Sequence, residues 1–498
     1  MSKRFGISDE DWLQTPDSVQ KAFSALHHQL LLLDMRTEVY ERQLAQLREQ
    51  VAQIDDLRAE MAELRERLGK NSNNSSKPPS SDPPHQQQTT TNESKGRKRG
   101  GQVGHRGLSR KLKAVAQVDR VIDLRPVGCN RCGHLLLGDD PDAARHQVSE
   151  VPLCKAFVTE YRRHSLRCLA CGTINQAEWP EDMPTSSFGP RAQAVVAYMT
   201  GRLTASHRDV REAMDVLHGI KLGLGSISAL QHRVSQSLEA VTQQARQYVG
   251  SQLSQNVDET SWPEAQQHKW LWVNATRDVT VYQLLEGRAT KQAKQVICER
   301  AKGIIGTDRF GAYNWLPARR RQICWAHLKR DFQAMAERGG HSSAVGEALL
   351  KEVDEIFILW HRLRDAKMSR KEFQAELEPV KQRVKRWLKQ GASCDHKKTR
   401  HTCQRVVKLR SSLWRFAQVE GIEPTNNSAE RALRRAVMWR RKSFGTQSES
   451  GSRFVERILT VVTSLRQQGR NVLEYLTTAC SSERQSCHSS LCLAPVSP

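Results

Sequence analysis

The sequence predicts a multidomain α/β protein, and three observations support that fold class. Its 498 residues exceed what one hydrophobic core usually holds, so we expect several units. Apolar residues recur at helical spacing near the N-terminus and in residues 183–250, whereas residues 251–330 hold short runs rich in Val, Ile, Trp and Tyr. Two CxxC pairs lie between these regions. We therefore expect an N-terminal coiled coil, a small zinc-binding β module, a helical segment, and an α/β core with a helical insertion.

The charge of the chain favours a polyanionic partner. Its 77 Lys and Arg residues against 54 Asp and Glu residues give a net charge of +23. Such an excess favours nucleic acid, although an anionic membrane surface attracts the same charge. No run of about 18 apolar residues is present. The N-terminal stretch MSKRFGISDEDWLQ lacks the apolar centre of a signal peptide. We therefore predict a cytoplasmic protein that does not enter the membrane.

Residues 1–70 are predicted to form a helix with a coiled-coil seam. Apolar residues recur there at steps of three and four, with one slip in the heptad. The seam consists of Tyr40, Leu44, Leu47, Val51, Ile54, Leu57, Met61, Leu64 and Leu68. Two interpretations are open. We favour a coiled coil that joins protomers into a homo-oligomer, and the rival is one long helix packed on its own protein.

Residues 71–110 are predicted to be a linker. Asn, Ser, Pro and Gln dominate SNNSSKPPSSDPPHQQQTTTNESKGRKRGGQVGHRG and leave little to bury. The end of this linker carries basic residues among glycines, and Lys98 and Arg99 are candidates for contacts with DNA phosphates. A solvated tail is an equally good interpretation of each of these residues.

Residues 111–182 are predicted to fold as a small β module around zinc. The four candidate ligands are Cys129, Cys132, Cys168 and Cys171, in two pairs whose inner cysteines are 36 positions apart. Four thiolates suit a closed tetrahedral site for structural Zn²⁺. Gly133 and Gly172 follow the second cysteine of each pair, where a tight turn favours a residue without Cβ. Without an export signal, we expect the twelve cysteines to be reduced or metal-bound rather than disulfide-linked.

Residues 183–250 are predicted to be a helical DNA-binding segment. A glycine-rich break at residues 223–225 separates two helical stretches, and Ser226 is a candidate N-cap of the second. Two helices around such a turn are compatible with a helix-turn-helix DNA-binding motif. An ordinary helical hairpin is the commoner structure, and the sequence does not separate the two.

The rest of the chain is predicted to be an α/β core with a helical insertion. SQNVDETSW, HKWLWVNATRD, VTVYQLLEG and KGIIGTDRFGAYNW are typical of successive strands, which places the first part of the core in residues 251–330. Residues 331–422 are predicted to form the helical insertion. Residues 423–480 are predicted to return to the core as amphipathic helices, and residues 481–498 are a tail without a pattern.

Three acidic residues are candidate metal ligands. Asp258 and Asp308 end strand-like runs, and Glu430 begins a helix. Two-metal phosphoryl chemistry needs carboxylates from separate elements to converge on one point, and Mg²⁺ (or Mn²⁺) favours such oxygen ligands. An acid on a first strand, an acid after a later strand and an acid on a following helix form the pattern of an RNase H-like sheet.

Each acid also has a structural interpretation. Asp258 suits a strand-end cap, and Asp308 suits a turn. Asn427-x-x-Glu430 fits a capping box, in which the acid bonds back to the start of its helix. Glu430 also precedes Arg434 by four residues, which suits a helix salt bridge. By residue type alone, the structural interpretation is the stronger one for Glu430.

Two further sets of residues are candidates for contact with a phosphate. In CWAHLKRDF, His327 and Arg330 suit either packing or the positioning of a scissile phosphate. The helix that carries Glu430 is basic with an aromatic residue between arginines, which suits a distorted or single-stranded DNA end. Its candidate DNA contacts are Arg431, Arg434, Arg435, Trp439 and Arg440. The rival interpretation is a solvated basic face with Trp439 in the core.

Together these motifs resemble a known family, the DDE transposases of bacterial insertion sequences of the insertion-sequence-66 type. GKNSNNSSKPPSSD resembles the linker of that family, GRKRGGQVGHRG its basic glycine motif, and the two CxxC pairs its zinc-finger-like domain. VDETSW, GTDRFGAYNW, CWAHLKRDF and NNSAERALR resemble blocks of its catalytic domain in the expected order. The resemblance extends from about residue 30 to residue 478.

This resemblance implies that Asp258, Asp308 and Glu430, separated by 50 and 122 positions, occupy the metal-binding DDE positions for two Mg²⁺ or Mn²⁺ ions. Asn427 would hold the start of the last helix. The implied function is a transposase that binds the terminal inverted repeats of an insertion sequence, cleaves a DNA strand and transfers it to target DNA. Expected partners are DNA, further copies of the chain and accessory proteins of the same element, in the bacterial nucleoid. An RNase H-like nuclease without strand transfer and a non-catalytic DNA-binding repressor are the alternatives.

Overall fold

The computed structural model describes residues 6–71, 74–75, 111–152, 154–181, 183–184, 186–298, 301–482 and 491–495. Lys98 and Arg99 lie outside these residues. The chain forms two compact units. The first contains the described parts of Met1–Pro83, Lys329–Glu355 and Gln382–Gln404, and the second contains those of Pro84–Leu328, Ile356–Lys381 and Arg405–Pro498.

Among the described residues, two helices, a pair of short strands and four more helices precede the central sheet, and helices dominate after it. The described elements up to residue 251 are α1 (Asp9–Gln14), α2 (Asp17–Leu68), β1 (Ser165–Arg167), β2 (Ile174–Gln176), α3 (Pro190–Gly201), α4 (His207–His218), α5 (Leu224–Ser237) and α6 (Glu239–Ser251). Those that follow are β3 (Ser254–Glu264), β4 (Gln267–Ala275), β5 (Thr280–Leu285), α7 (Thr290–Ile297), β6 (Ile304–Thr307), β7 (Arg321–Ile323), α8 (Trp325–Ala336), α9 (Gly340–Arg364), α10 (Arg370–Gly391), α11 (Lys397–Lys408), α12 (Arg415–Gln418), α13 (Asn427–Ser443), α14 (Glu449–Gln467) and α15 (Val472–Ser482).

In the first unit, α2 is a single helix of 52 residues. The predicted seam leaves its apolar side chains exposed, by 48–56% at Leu44, Leu47, Val51 and Ile54. Near the end of α2, Glu66 forms ion pairs with Arg338 at 3.4 Å and with Lys398 at 2.7 Å. An exposed apolar stripe of this kind is typical of an association surface. The coiled coil itself stays a prediction.

The second unit is built on a five-stranded mixed sheet with the order β5-β4-β3-β6-β7. β3 pairs with β4, and β4 with β5, in antiparallel register, whereas β3 pairs with β6, and β6 with β7, in parallel register. Gly306 of β6 lies opposite Asn256 of β3, and a Cβ at this position would collide with the Asn256 side chain. The mixed α/β class and the four predicted strand runs, present as β3 to β6, are confirmed. Neither α7 nor β7 was predicted.

Helices cover both faces of this sheet. On one face, Leu271 and Val273 of β4 share a buried cluster with Leu433 of α13 and Ile458 of α14. On the other face, Val257, Trp272 and Ile305 pack with residues of α7. Because side chains of a strand alternate between faces, Asp258, opposite Val273, faces α13, and Glu259, opposite Trp272, faces the α7 side. This alternation decides which acids can meet.

The segment predicted to be helical contains α3, α4, α5 and α6. The N-cap of α5 is Gly223, so the prediction that Ser226 caps this helix is wrong. The helix begins two residues before Ser226 because Gly223 already has extended backbone angles and Leu224 the first helical ones. The side chains of Val210, Met214, Ile227 and Leu230 form a buried cluster between α4 and α5. The helix-turn-helix function of this pair stays a prediction.

Among the described residues, no helix combines the length and the apolar composition that crossing a membrane requires.

Candidate active site

The fold brings the three predicted acids to one place. Asp258 lies in the middle of β3 and faces α13. β6 runs parallel to β3 with Asn256 opposite Gly306, so Asp308, just past the end of β6, lies level with Asp258. Glu430 lies in the first turn of α13, the helix that covers this face. Two adjacent strands and one covering helix therefore supply one carboxylate each.

The pKa of Asp258 shows how closely the acids are grouped. Burial raises this pKa well above its usual value, and the charges of Glu259, Asp308 and Glu430 raise it further, in that order. Such a shift means that the cluster disfavours additional negative charge until a cation or a proton joins it. Grouped carboxylates are the oxygen donors that a hard divalent cation prefers. The donor set therefore fits the predicted Mg²⁺ or Mn²⁺ site.

Glu430 also lies against a histidine. Its Oε1 lies 3.4 Å from Nδ1 of His327, which is in the first turn of α8 and whose ring is largely shielded from solvent. Sγ of Cys324 joins these two groups, and among the described residues the three ligand atoms lie within 4.8 Å of one another. Arg330 lies further along α8 in the first unit. Of the two phosphate candidates in this motif, the structure thus brings His327 to the acids.

The capping box predicted for α13 does not form. The N-cap is Asn426, whose side chain makes no capping hydrogen bond, and Asn427 is the first residue of the helix. Asn427 therefore does not cap the helix, and the structural interpretation of Glu430 loses its main support. The sequence favoured Asn427 because it lies three residues before Glu430, but the chain enters the helix one residue earlier.

Asn426 is a central residue of the site that sequence reasoning missed. It is fully buried, and its N–H donates to Sγ of Cys324 at 3.2 Å. Its Nδ2 donates to the carbonyl of Val257 at 2.9 Å, and its own carbonyl accepts the N–H of Glu430 at 3.2 Å. One asparagine thereby ties β3 next to Asp258, the start of α8 and the start of α13. The doublet of asparagines was the signal, but spacing alone did not identify which of them is buried.

Oδ1 of Asn426 is a buried oxygen with no hydrogen-bond partner among the described residues. A buried polar atom without a partner costs about 1–3 kcal/mol. Such an oxygen in a site of carboxylates is compatible with a ligand, either water or cation, that completes the site.

Glu259 is a further acid near the site, and it lies on the face of β3 opposite to that of Asp258. The hydroxyl of Tyr313 donates to its Oε2 at 2.5 Å. Burial raises the pKa of Glu259 to about 7, the charge of Asp308 adds to this shift, and the Tyr313 hydrogen bond and Arg288 oppose it. Arg288 itself stacks on the rings of Trp270 and Phe310, at 4.7 and 4.0 Å.

The residues of the basic helix do not share one role. Arg431 and Arg434 are exposed, whereas Arg435 donates to the carbonyl of Arg202 at 2.6 Å. Arg440 donates to hydroxyl oxygens of β3, 2.9 Å from Oγ1 of Thr260. These positions favour DNA contact by the first two and a structural role for Arg440.

Trp439 lies in the core. It is 9% exposed and meets Trp262 and Phe454 edge to face, with ring centroids 6.5 and 6.3 Å apart. The position favours the packing interpretation over stacking on a DNA base. An aromatic residue between arginines in the sequence suggested one shared surface, but the arginines on either side of Trp439 project from other faces of the helix.

The two CxxC pairs form matching turns. Gly133 and Gly172 have positive φ angles of 77° and 75°, as the prediction of a tight turn required. The N–H of each glycine donates to the carbonyl of the first cysteine of its pair, Cys129 at 2.9 Å and Cys168 at 2.8 Å. The antiparallel pairing of β1 and β2 closes the second turn. Both loops therefore have the shape that presents two thiols on one side.

One thiol in each loop has a lowered pKa, which favours its thiolate form. The hydroxyl and N–H of Thr173 lower the pKa of Cys171 to about 7, and backbone N–H groups beginning with that of Arg131 lower the pKa of Cys129. Thiolates are the form that binds zinc. Within the described part of the chain, however, no three of the four predicted sulfur ligands lie within 4.8 Å of one another. The loops do not meet in one tetrahedral site here, and structural zinc stays a prediction.

The sequence of this chain is similar to known proteins. Residues 186–453, more than half of the chain, match the family model described as Transposase IS66 family, and residues 31–111 match a family of unknown function. A curated relative from Sinorhizobium fredii (strain NBRC 101917 / NGR234), named Uncharacterized protein y4qI, is 26% identical over 235 residues. That match covers 42% of this chain and 42% of the relative, so the chain spans less than half the length of the curated relative that it matches. The family match includes all three candidate acids.

Proposed function

Because the chain belongs to the IS66 transposase family, we propose that Asp258, Asp308 and Glu430 are the catalytic carboxylates of a DNA transposase with an RNase H-like core. The convergence of one acid from β3, one from the end of β6 and one from α13 is the observation that carries the proposal. The proposed reaction is metal-dependent cleavage of a DNA strand at the terminal inverted repeats of an insertion sequence, followed by transfer of that strand to target DNA.

The three carboxylates, with Oδ1 of Asn426 nearby, are the groups that would hold the divalent ions. The chemistry supplied there by Mg²⁺ or Mn²⁺ would be activation of the attacking oxygen and stabilisation of the leaving oxygen of the phosphodiester. The protein's own contribution is placement. Asn426 fixes the start of α13 against β3, so that the distance between the carboxylates of Glu430 and Asp258 stays constant. His327, beside Glu430, orients that carboxylate.

Residues outside the site are assigned supporting roles. We propose that the seam of α2 joins protomers so that two element ends meet in one complex, and that zinc held by Cys129, Cys132, Cys168 and Cys171 stiffens the segment before α3. Lys98, Arg99, Arg431 and Arg434 are proposed DNA phosphate contacts. Accessory proteins of the same element as partners and a cytoplasmic, nucleoid-associated location are proposed by analogy with the family.

A nuclease of the same fold is the second candidate, because the same three carboxylates would also support hydrolysis without strand transfer. A non-catalytic repressor has less support, because the acids are not only present but grouped closely enough to raise the pKa of Asp258.

The test is a cleavage and joining assay with full-length protein, labelled DNA that carries the ends of its element, and Mg²⁺. Wild type is expected to cut at the element end and to join that end to a target plasmid. Glu430→Gln is expected to bind the same DNA with unchanged affinity and to lose both activities. Cleavage without joining supports the nuclease instead, and normal joining by Glu430→Gln refutes the assignment.

A further inference from the structure

A large basic groove in the second unit has one wall formed by α13, the helix that carries Glu430. It has a volume of about 1200 Å³ and lies between α13, α14, the start of β3 and the turn from β4 to β5. Its described lining includes seven cationic side chains against one carboxylate, that of Glu423. The cations are Arg202, Arg277, Arg431, Arg434, Arg435, Lys442 and Arg466. They come from distant parts of the chain, so the groove exists only in the folded protein.

Helical geometry separates this groove from Glu430. Arg431, Arg434, Met438 and Lys442 follow one another at steps of three and four, which places them on one face of α13. At roughly 100° per residue, the centre of that face is about a quarter turn from the direction of Glu430. The helix thus presents the acid to the catalytic cluster and the arginines to the groove.

Most cations of the groove form no ion pair within the described part of the chain. Among the described residues, Arg202, Arg277, Arg431, Arg434 and Arg466 make no ion pair with a carboxylate. Some arginines elsewhere in the described chain are paired, as Arg383 is with Glu352 at 2.9 Å and Arg362 with Glu376 at 2.7 Å. The concentration of unpaired cations in one groove marks it as a binding site for an anion of high charge.

The state of Arg435 supports this interpretation. Burial lowers its pKa, and the positive charges of Arg202 and Arg466 lower it further. The arginines therefore repel one another in the protein without its ligand. An anion placed between them removes that repulsion.

The lining also indicates the kind of anion. The described lining residues include no Trp, Tyr or Phe on which a base could stack. The volume of about 1200 Å³ exceeds the 300–1,000 Å³ or so of a pocket for one small ligand. Each strand of a DNA duplex carries one phosphate for every 3.4 Å or so of helix axis, which suits a row of cations rather than a single one.

We propose that this groove binds the sugar-phosphate backbone of the DNA that flanks the cleaved phosphodiester. The inference rests on the proposed function, and it adds Arg202, Arg277, Lys442 and Arg466 as DNA contacts. Binding through phosphates is independent of sequence. The groove therefore contributes affinity and orientation for any DNA, while recognition of the element ends lies elsewhere in the chain.

The test compares two double variants of the full-length chain. Arg277→Ala/Arg466→Ala removes two exposed groove cations that lie outside α13. Arg246→Ala/Arg319→Ala removes two exposed arginines outside the groove and is the matched control, because the loss of net charge is the same. Binding of a fluorescent duplex is measured by anisotropy over a series of salt concentrations without Mg²⁺, and thermal melting checks that both variants fold.

For the groove variant, we expect the slope of log affinity against log salt to be less steep by about 1.8, or 0.9 per lost phosphate contact. At 0.1 M salt this corresponds to an affinity loss of roughly ten- to a hundredfold. The control is expected to bind as wild type does. An unchanged slope in the groove variant overturns the proposal, and so does an equal loss in the control, which would show a general charge effect.

Two further arms separate the possible ligands and the two proposals. If a mononucleotide displaces the duplex from wild type more effectively than from the groove variant at micromolar concentration, the groove is a small-ligand site and the proposal fails. If wild type fails to cleave DNA while the groove variant still shows the reduced slope, the groove stands and the proposed function fails. If wild type cleaves and the groove variant binds normally, only the groove assignment fails.

Discussion

Because of Glu259, we expect the free energy of unfolding to fall as the pH rises in protein free of divalent cations. Its pKa in the folded chain is about 7 against an ordinary value of 4.5, chiefly because the group is buried. Between pH 4.5 and about 7, the carboxyl group of Glu259 therefore holds a proton in the folded state that it has released in the unfolded state. The contribution of this group to stability is fully present below pH 4.5 or so and is lost as the pH rises through about 7.

The size of the loss follows from the shift. The pKa of Glu259 differs by about 2.5 between the folded and unfolded states, which at 1.4 kcal/mol per pKa unit gives about 3.5 kcal/mol. Although burial is the main cause of the shift, the residue as a whole has intermediate solvent exposure, and screening by solvent reduces the expected effect to about 2 kcal/mol. The substitution Glu259→Gln keeps the shape and an acceptor for the Tyr313 hydroxyl, but it cannot ionise. This variant is expected to match wild type near pH 5 and to be more stable by about 2 kcal/mol at pH 8.

The assay is urea unfolding followed by tryptophan fluorescence at several pH values between 5 and 8, in buffer without Mg²⁺. Trp272 is a suitable probe because it is buried with its ring centroid 6.1 Å from that of Tyr313. Histidines titrate in the same range in both proteins, so the difference between variant and wild type isolates Glu259. If both proteins lose stability in parallel as the pH rises, the account of Glu259 is refuted.

Four further predictions concern residues other than Glu259. Asn426→Ala should lower the free energy of unfolding by about 1–3 kcal/mol, because the carbonyl of Val257 loses its hydrogen-bond donor. The same variant should cleave DNA about 10²-fold more slowly with unchanged DNA affinity. Normal cleavage would show that the hydrogen bonds of Asn426 do not position the acids. Trp439→Ala should lower stability by about 3–5 kcal/mol in urea unfolding, whereas Trp439→Phe should bind DNA normally; a selective loss of DNA affinity in the Phe variant would favour base stacking. Metal analysis should find about one zinc per chain, released in Cys168→Ser; equal zinc in both proteins would exclude this cysteine as a ligand. Leu47→Lys, in the seam of α2, should lower the oligomeric state measured by light scattering, and an unchanged mass would contradict association through this helix.

The sequence predicted the parts of the fold whose patterns are local. β3, β4, β5 and β6 are rich in apolar and β-branched residues and have clear turns between them, so their existence followed from composition. β7 did not, because it has only three residues and begins with a charged one. Arg321 is nevertheless 1% exposed, and its guanidinium donates to Oγ1 of Thr307 at 3.0 Å and to the carbonyl of Asp308 at 3.0 Å. Tertiary hydrogen bonds of this kind leave no periodic trace in the sequence.

The candidate site divides in the same way. Motif resemblance identified Asp258, Asp308 and Glu430, and the fold brings them together. Residue type alone favoured a structural role for Glu430, because a capping box and a metal ligand use the same residue at the same place in a helix. In the structure, α13 begins at Asn427, one residue before the start that the capping box required, and Asn426 is therefore the N-cap residue. That difference of one residue gives the buried position to Asn426, which the sequence did not single out.

The basic groove was the least predictable feature. The arginines of α13 are adjacent in sequence, but Arg202, Arg277 and Arg466 join them only through the packing of separate elements. The overall charge of +23 predicted a polyanionic partner without indicating a surface. Conversely, the sequence grouped Trp439 and Arg440 with the DNA contacts, although the fold directs one into the core and the other to β3. A helix presents neighbouring residues to different surroundings, which a list of basic positions does not show.

The central claim is that Asp258 holds a divalent ion during DNA cleavage, and a change of ligand chemistry tests it most directly. Asp258→Cys replaces a hard oxygen by sulfur, which Mg²⁺ binds poorly and Mn²⁺ accepts more readily. Cleavage of labelled element ends by this variant is measured with each ion, beside wild type under the same conditions. The account predicts activity of wild type with both ions, and activity of the variant with Mn²⁺ but not with Mg²⁺. Undiminished cleavage by Asp258→Cys with Mg²⁺ would contradict it.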